Sequence, residues 1–186
     1  MKKKVLMGLV LLAIIGTSAV FAQTPTLDKL KISTTGYASA ANNQISGAVV
    51  IPDTYNGKPV VVVNNFTNIA GITSVTFPNS LTKIDTNAFT NCTGIKSITI
   101  PASVTIIGNN AFGRNTNLTE VTFQGSSITL GAYSSPAFDG DLDAKYKAGG
   151  AGTYTRTAGS NNWTKQGGVA VCPTCGQPLP AGFKLP

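Results

Sequence analysis

Between residues 45 and 138 the apolar positions return in a fixed order. Ile72-x-x-Val75-x-Phe77-Pro78 alternates apolar and polar positions and stops at a proline, and Ile95-x-x-Ile98-x-Ile100-Pro101 does the same 23 residues later. Leu118-x-x-Val121-x-Phe123 repeats the alternation a third time. Period-two alternation marks a half-buried strand, and proline ends it because it has no N–H for a ladder. A second apolar pair follows each strand (Leu81/Ile84, then Val104/Ile107), and after it a small residue beside a ring, Ala88-Phe89 and then Ala111-Phe112. An earlier unit opens at Val49-x-Ile51-Pro52 and holds Phe66, which lies 23 residues before Phe89. A later one closes on Ala137-Phe138, displaced by three residues through the stretch 126–136.

A fixed period in this range is the mark of a solenoid, because one such unit cannot bury its apolar side alone. Stacked units place their strands side by side as a parallel ribbon about 4.8 Å apart. The second apolar pair forms the opposite wall, and the Ala-Phe pair fills the space between. The expected fold is mostly β: a short solenoid of about four 23-residue coils with N- and C-terminal caps. Caps are needed because an open solenoid end exposes apolar surface and unpaired strand edges. Leu30-Lys31-Ile32 and Gly36-Tyr37 are the candidate N-terminal cap strands. At the other end, Asp141 to Ala148 reads as a helix with Asp141 as N-cap and Gly149-Gly150 as its stop. Two further strands, 152–156 and 162–165, complete that cap.

The first 22 residues read as an export leader. Met1-Lys2-Lys3-Lys4 is positive, Val5 to Ile15 is almost purely apolar, and Val20-Phe21-Ala22 sets up a cut before Gln23. The apolar run is too short and wrongly flanked for a membrane span. No second long apolar run follows, so no transmembrane segment is expected in the mature chain, and its destination is the periplasm, the cell surface or the medium. The organisation expected is leader 1–22, N-terminal cap 23–45, solenoid 46–138, C-terminal cap 139–165 and a Gly/Pro-rich tail 166–186.

Composition narrows the chemistry. Without the leader's three lysines, 11 basic side chains stand against 7 acidic ones, scattered with no basic run, so nucleic acid is not the expected partner. The chain has no histidine, which removes the commonest general base and the commonest metal ligand. No catalytic group is identified, and neither an enzyme nor a cofactor is expected.

The segment I-K-S-I-T-I-P-A-S-V-T-I-I-G-N-N-A-F-G-R-N-T-N-L closely resembles the BspA-type, or Treponema-type, leucine-rich repeat, with Pro, Gly, Ala-Phe and the apolar positions in register. The likeness covers roughly residues 45–138. The Tyr-Asn-Gly-Lys-Pro stretch at 55–59 and the stretch 138–156 resemble flanks of secreted spirochaete members. Two departures stand out: Asn65 replaces the usual Ala before Phe66, and three extra residues precede Phe138. The resemblance implies a curved leucine-rich-repeat solenoid, export, and binding to another protein, in some relatives a host matrix component; an envelope component is the other partner considered.

If Val75 and Phe77 point inward, alternation turns Ser74 and Thr76 outward, and the same offset gives Ser97 and Thr99, then Glu120 and Thr122. These six residues are the candidate binding face, although threonine also simply suits a half-exposed strand. Cys92 sits at an ordinary repeat position, equivalent to Ile69 and Asn115, where it reads as a small apolar filler. Cys172-Pro-Thr-Cys175 is the most enzyme-like fragment. It has half the ligands of a structural zinc site, so Cys172 and Cys175 would hold metal only if zinc were shared between chains; a local disulfide is the simpler outcome for an exported pair. A redox or zinc-dependent role through this pair, or a purely structural envelope role, is the alternative to binding. Asp139, Asp141 and Asp143 lack the spacing of a calcium loop, and helix capping accounts for them.

Overall fold

The computed structural model describes residues 29–132 and 135–167. The segment 1–22, expected to be a leader, and the pair Cys172/Cys175 lie outside the described residues.

In chain order the elements are β1 (Leu30–Ile32), β2 (Tyr37–Ala40), β3 (Gly47–Val50), β4 (Thr54–Tyr55), β5 (Lys58–Pro59), β6 (Val62–Asn64), β7 (Ile72–Thr76) and β8 (Lys83–Ile84). They continue with β9 (Ser97–Ile100), β10 (Ile106–Ile107), β11 (Glu120–Phe123), β12 (Thr129–Leu130), α1 (Leu142–Gly149), β13 (Gly152–Thr155) and β14 (Thr164–Lys165). Each coil contributes one ribbon strand (β3, β7, β9, β11) and one strand of the opposite wall (β6, β8, β10, β12). The expected mostly β solenoid of about four coils is the observed fold.

The wall is the more continuous surface, a six-stranded sheet in the order β1-β2-β6-β8-β10-β12. Val63, Ile84, Ile107 and Leu130 share one register and point into the core. The N-terminal cap extends this wall: β2 pairs parallel with β6, and β1 folds back antiparallel on β2. Two residues, Asn56-Gly57, join β4 to β5 with positive φ at both positions, the conformation a tight hairpin needs.

Between the walls runs a spine of rings. Phe66, Phe89, Phe112 and Phe138 stack nearly parallel, with centroids 4.8, 5.5 and 4.8 Å apart. Backbone bonds follow the same line, Phe66 N–H to Ala88 O, Phe89 N–H to Ala111 O and Phe112 N–H to Ala137 O, all at 2.7–2.8 Å. The spine therefore joins every coil to the next through both apolar contact and the main chain. Asparagines hold the corners beside it. Asn87 and Asn110 have φ near +57° and +55°, a region asparagine tolerates, and Asn110 Nδ2 donates to Asn87 Oδ1 at 3.0 Å.

The C-terminal cap differs from expectation in its details. Asp141 stands at the N-cap position of α1, but its carboxylate caps no helix N–H; Oδ1 accepts the Trp163 N–H at 2.8 Å, and Oδ2 lies 3.9 Å from Lys145 Nζ. Asp143, inside the helix, closes the spine: Oδ2 accepts from Ala137 N–H at 2.7 Å and Oδ1 from Phe138 N–H at 3.2 Å. Burial pushes its carboxyl above the usual range, against the pull of those two N–H groups and of Lys147. Arg156 is also buried and serves carbonyls, donating from Nε to Leu118 O at 2.7 Å and from one terminal nitrogen to Asn115 O at 2.9 Å. Its guanidinium lies 4.6 Å from the Trp163 ring centre.

Candidate functional site

The ribbon face is built by alternation. Val75, Ile98 and Val121 are buried, which leaves Ser74, Thr76, Ser97, Thr99 and Glu120 exposed. Thr122 is only half-buried, because Thr153 lies against it, with the two hydroxyl oxygens 2.9 Å apart. That contact belongs to an extension of the face. β13 pairs antiparallel with β11, and β14 with β13, so Thr153 and Thr155 stand beside Thr122 and Glu120, and Thr164 stands beside Thr155. Period-based reasoning missed these three threonines, since an antiparallel addition falls outside any 23-residue register. The signal was the alternating Thr-Tyr-Thr of 153–155.

The six predicted face residues do not form one unbroken ladder. Ser97 pairs with Glu120 and Thr99 with Thr122, but the ribbon divides between β7 and β9 into two sheets, β3-β7 and β9-β11-β13-β14. The coils are close at one end of this break. A Cβ on Gly94 would collide with the carbonyl oxygens of Ala70 and Ile72, so only glycine allows the approach. Beyond it a cleft of about 320 Å³ opens, rimmed by Thr76, Asn79, Ser97, Thr99, Glu120 and Gln124 and floored by Val75, Phe77, Ile98 and Pro101.

The carboxylates are unequal. Asp53 Oδ1 accepts the Asn79 N–H, Asp85 pairs with Lys83 at 3.1 Å, and Asp139 Oδ1 accepts the Arg114 N–H. Asp141 and Asp143 serve the C-terminal cap. Among the described residues Glu120 is the one acidic side chain with no hydrogen-bond or ion-pair partner, and it stands on the cleft rim.

Cys92 is more than filler. Its Sγ donates to Phe66 O at 2.8 Å, and at the equivalent position Asn115 Nδ2 donates to Phe89 O at 3.0 Å. The third equivalent, Ile69, has an apolar side chain and donates no such bond. Burial raises the Cys92 thiol to about 11, which keeps it protonated and unreactive at neutral pH. No group of three or more potential metal-ligating side chains stands together among the described residues. No helix among them is long and apolar enough to cross a membrane.

With that geometry in view, the family follows. Residues 49–139 match the BspA type leucine rich repeat region in six copies, so the solenoid of this chain is built of BspA-type leucine-rich repeats. Repeats of this class are protein-interaction modules. The crystal structure of the T. pallidum leucine-rich repeat protein is similar at 19% identity, over 60% of this chain and 65% of that one, with a TM-score of 0.45. No curated protein matches the chain.

Proposed function

We propose that the chain is an exported module that binds another protein through its ribbon face, acting in adhesion to a host matrix component or in assembly of the cell envelope. The observation that carries this reading is the face itself: hydroxyls from five strands, β7, β9, β11, β13 and β14, surround one carboxylate without a partner. Solenoids commonly use such extended faces for recognition. Serine and threonine hydroxyls both donate and accept, so they suit the edge groups of a partner's backbone or polar side chains. Export rests on the leader at 1–22, and recovery of a mature chain beginning at Gln23 from the periplasm, the cell surface or the medium tests it.

The test of the face uses the full chain, wild type beside a Ser97→Lys/Thr99→Lys double variant, with purified matrix proteins and the producing cell's envelope proteins as baits. Both positions are exposed, so the variant should fold normally. A Thr129→Lys variant on the opposite wall serves as control. Saturable binding lost only in the double variant supports the ribbon face. Equal binding by all three forms rejects it.

A further inference from the structure

The break in the ribbon has the character of a receptor groove. Parallel strands turn the peptide groups of alternate residues toward each neighbour. Thr76 O accepts from Ile51 on the β3 side, so Val75 and Phe77 turn theirs toward β9. Lys96 O and Ile100 O accept from β11, so Ser97 and Thr99 turn theirs toward β7. These four residues line the cleft, and no ladder joins β7 to β9. Peptide groups left open in this way need water or a ligand.

We infer that this cleft takes an extended segment of the protein partner, anchored by a lysine or arginine side chain on Glu120. The inference rests on the ribbon face being the binding surface. Three features select the occupant. The open N–H and C=O groups repeat along the strands, and an extended peptide presents matching groups at the same rise. The apolar floor of Val75, Phe77 and Ile98 can accept the alternate side chains of such a segment. Glu120 is the charged residue of the lining and has no cation within the fold, so charge complementarity calls for a basic side chain. A sugar chain would bring hydroxyls to the rim but no charge to Glu120.

Backbone amide NMR on the full chain tests this in two stages. In the free protein, the amides of Val75, Phe77, Ser97 and Thr99 should exchange with solvent faster than that of Ile98, which faces β11 within a ladder. Equal protection at all five would mean a closed ribbon and would overturn the inference. The chain is then titrated with a blocked eight-residue Thr/Val peptide carrying a central arginine, with its arginine-to-alanine counterpart, and with maltohexaose. The expected result is shifts at the four cleft amides, with the arginine peptide binding about tenfold tighter than its counterpart, as a charge-assisted hydrogen bond supplies. That preference should vanish in Glu120→Gln. Equal binding of both peptides, a preference surviving in Glu120→Gln, or the same shifts with maltohexaose would each sink the proposed anchor. If no peptide shifts these amides while Ser97→Lys/Thr99→Lys still abolishes capture of the partner, the groove is wrong and the ribbon face stands. If that variant captures normally, the face itself is wrong.

Discussion

The Phe138 N–H donates to Asp143 Oδ1 at 3.2 Å, whereas the equivalent N–H of Phe66, Phe89 and Phe112 reaches the carbonyl of the next coil. A side-chain carboxylate thus stands where a fifth coil would continue the ladder. Because Ala137 N–H also bonds to it, one residue closes two main-chain donors at the solenoid's end.

Replacing that residue should be costly. Asp143→Ala leaves two buried N–H groups without acceptors, at about 1–3 kcal/mol each, so a loss of about 3 kcal/mol is expected. Asp143→Asn should cost less, since it keeps one acceptor. Urea midpoints at constant m-value measure both.

The aromatic spine carries a second expectation. Phe89 stacks on Phe66 and Phe112 and meets Phe77 edge-on, so it joins three coils. Phe89→Ala should lose about 3–5 kcal/mol through lost burial and the cavity left behind. Thermal unfolding followed by circular dichroism reads this out directly.

Arg156 ties the C-terminal cap to the last coil. Arg156→Met would strip the bonds from Leu118 O, Asn115 O and Ser160 O, and Arg156→Lys cannot reproduce the fork. A cost of about 3 kcal/mol, concentrated in the cap, is expected for the methionine variant. Trp163, the chain's one tryptophan, packs beneath the guanidinium, so its emission reports the cap alone. In the variant it should shift to the red at lower urea than the loss of β-structure; coincident transitions would show that the cap does not detach separately.

Cys92 makes the fold sensitive to alkali. The folded thiol holds its proton to about 11 against an ordinary 9.0, so the unfolded chain ionises first. The stabilisation is complete below pH 9.0 and is lost as pH rises toward 11. Two pH units correspond to a few kcal/mol at most, about 3. Cys92→Ser does not titrate there, so the stability difference between wild type and variant should drift in the variant's favour between pH 8.5 and 10.5. A pH-independent difference would contradict the burial. Asn at this position, as at Asn115, should preserve the bond to Phe66 O.

Ala-Phe at a constant offset made the spine legible, and Val75, Ile98 and Val121 made the buried side of the ribbon legible, because each coil solves the same burial problem with the same residues. The candidate face was readable only in part. Ser97, Thr99, Glu120 and Thr122 follow from alternation on adjacent, paired strands. Thr153, Thr155 and Thr164 reach the same face from strands that run the other way. Asp141 was readable only in part for a related reason. Asp141 takes the N-cap position its place in the sequence predicts, yet its Oδ1 accepts from Trp163 N–H, 22 residues away, and a sequence offers no measure of that approach.

The sequence by itself determined the period, the two apolar walls, the stacking of rings between them and the need for caps, since these depend on residue order within a coil and on copies of that order. Only the tertiary structure decided how coils meet. It placed the break between β7 and β9, the carbonyl that Cys92 serves, the substitution of Asp143 for a missing coil, and the lone state of Glu120. Each depends on which main-chain groups face one another across coils. That is fixed by the approach of backbones such as Gly94 and Ile72, and local pattern does not carry it.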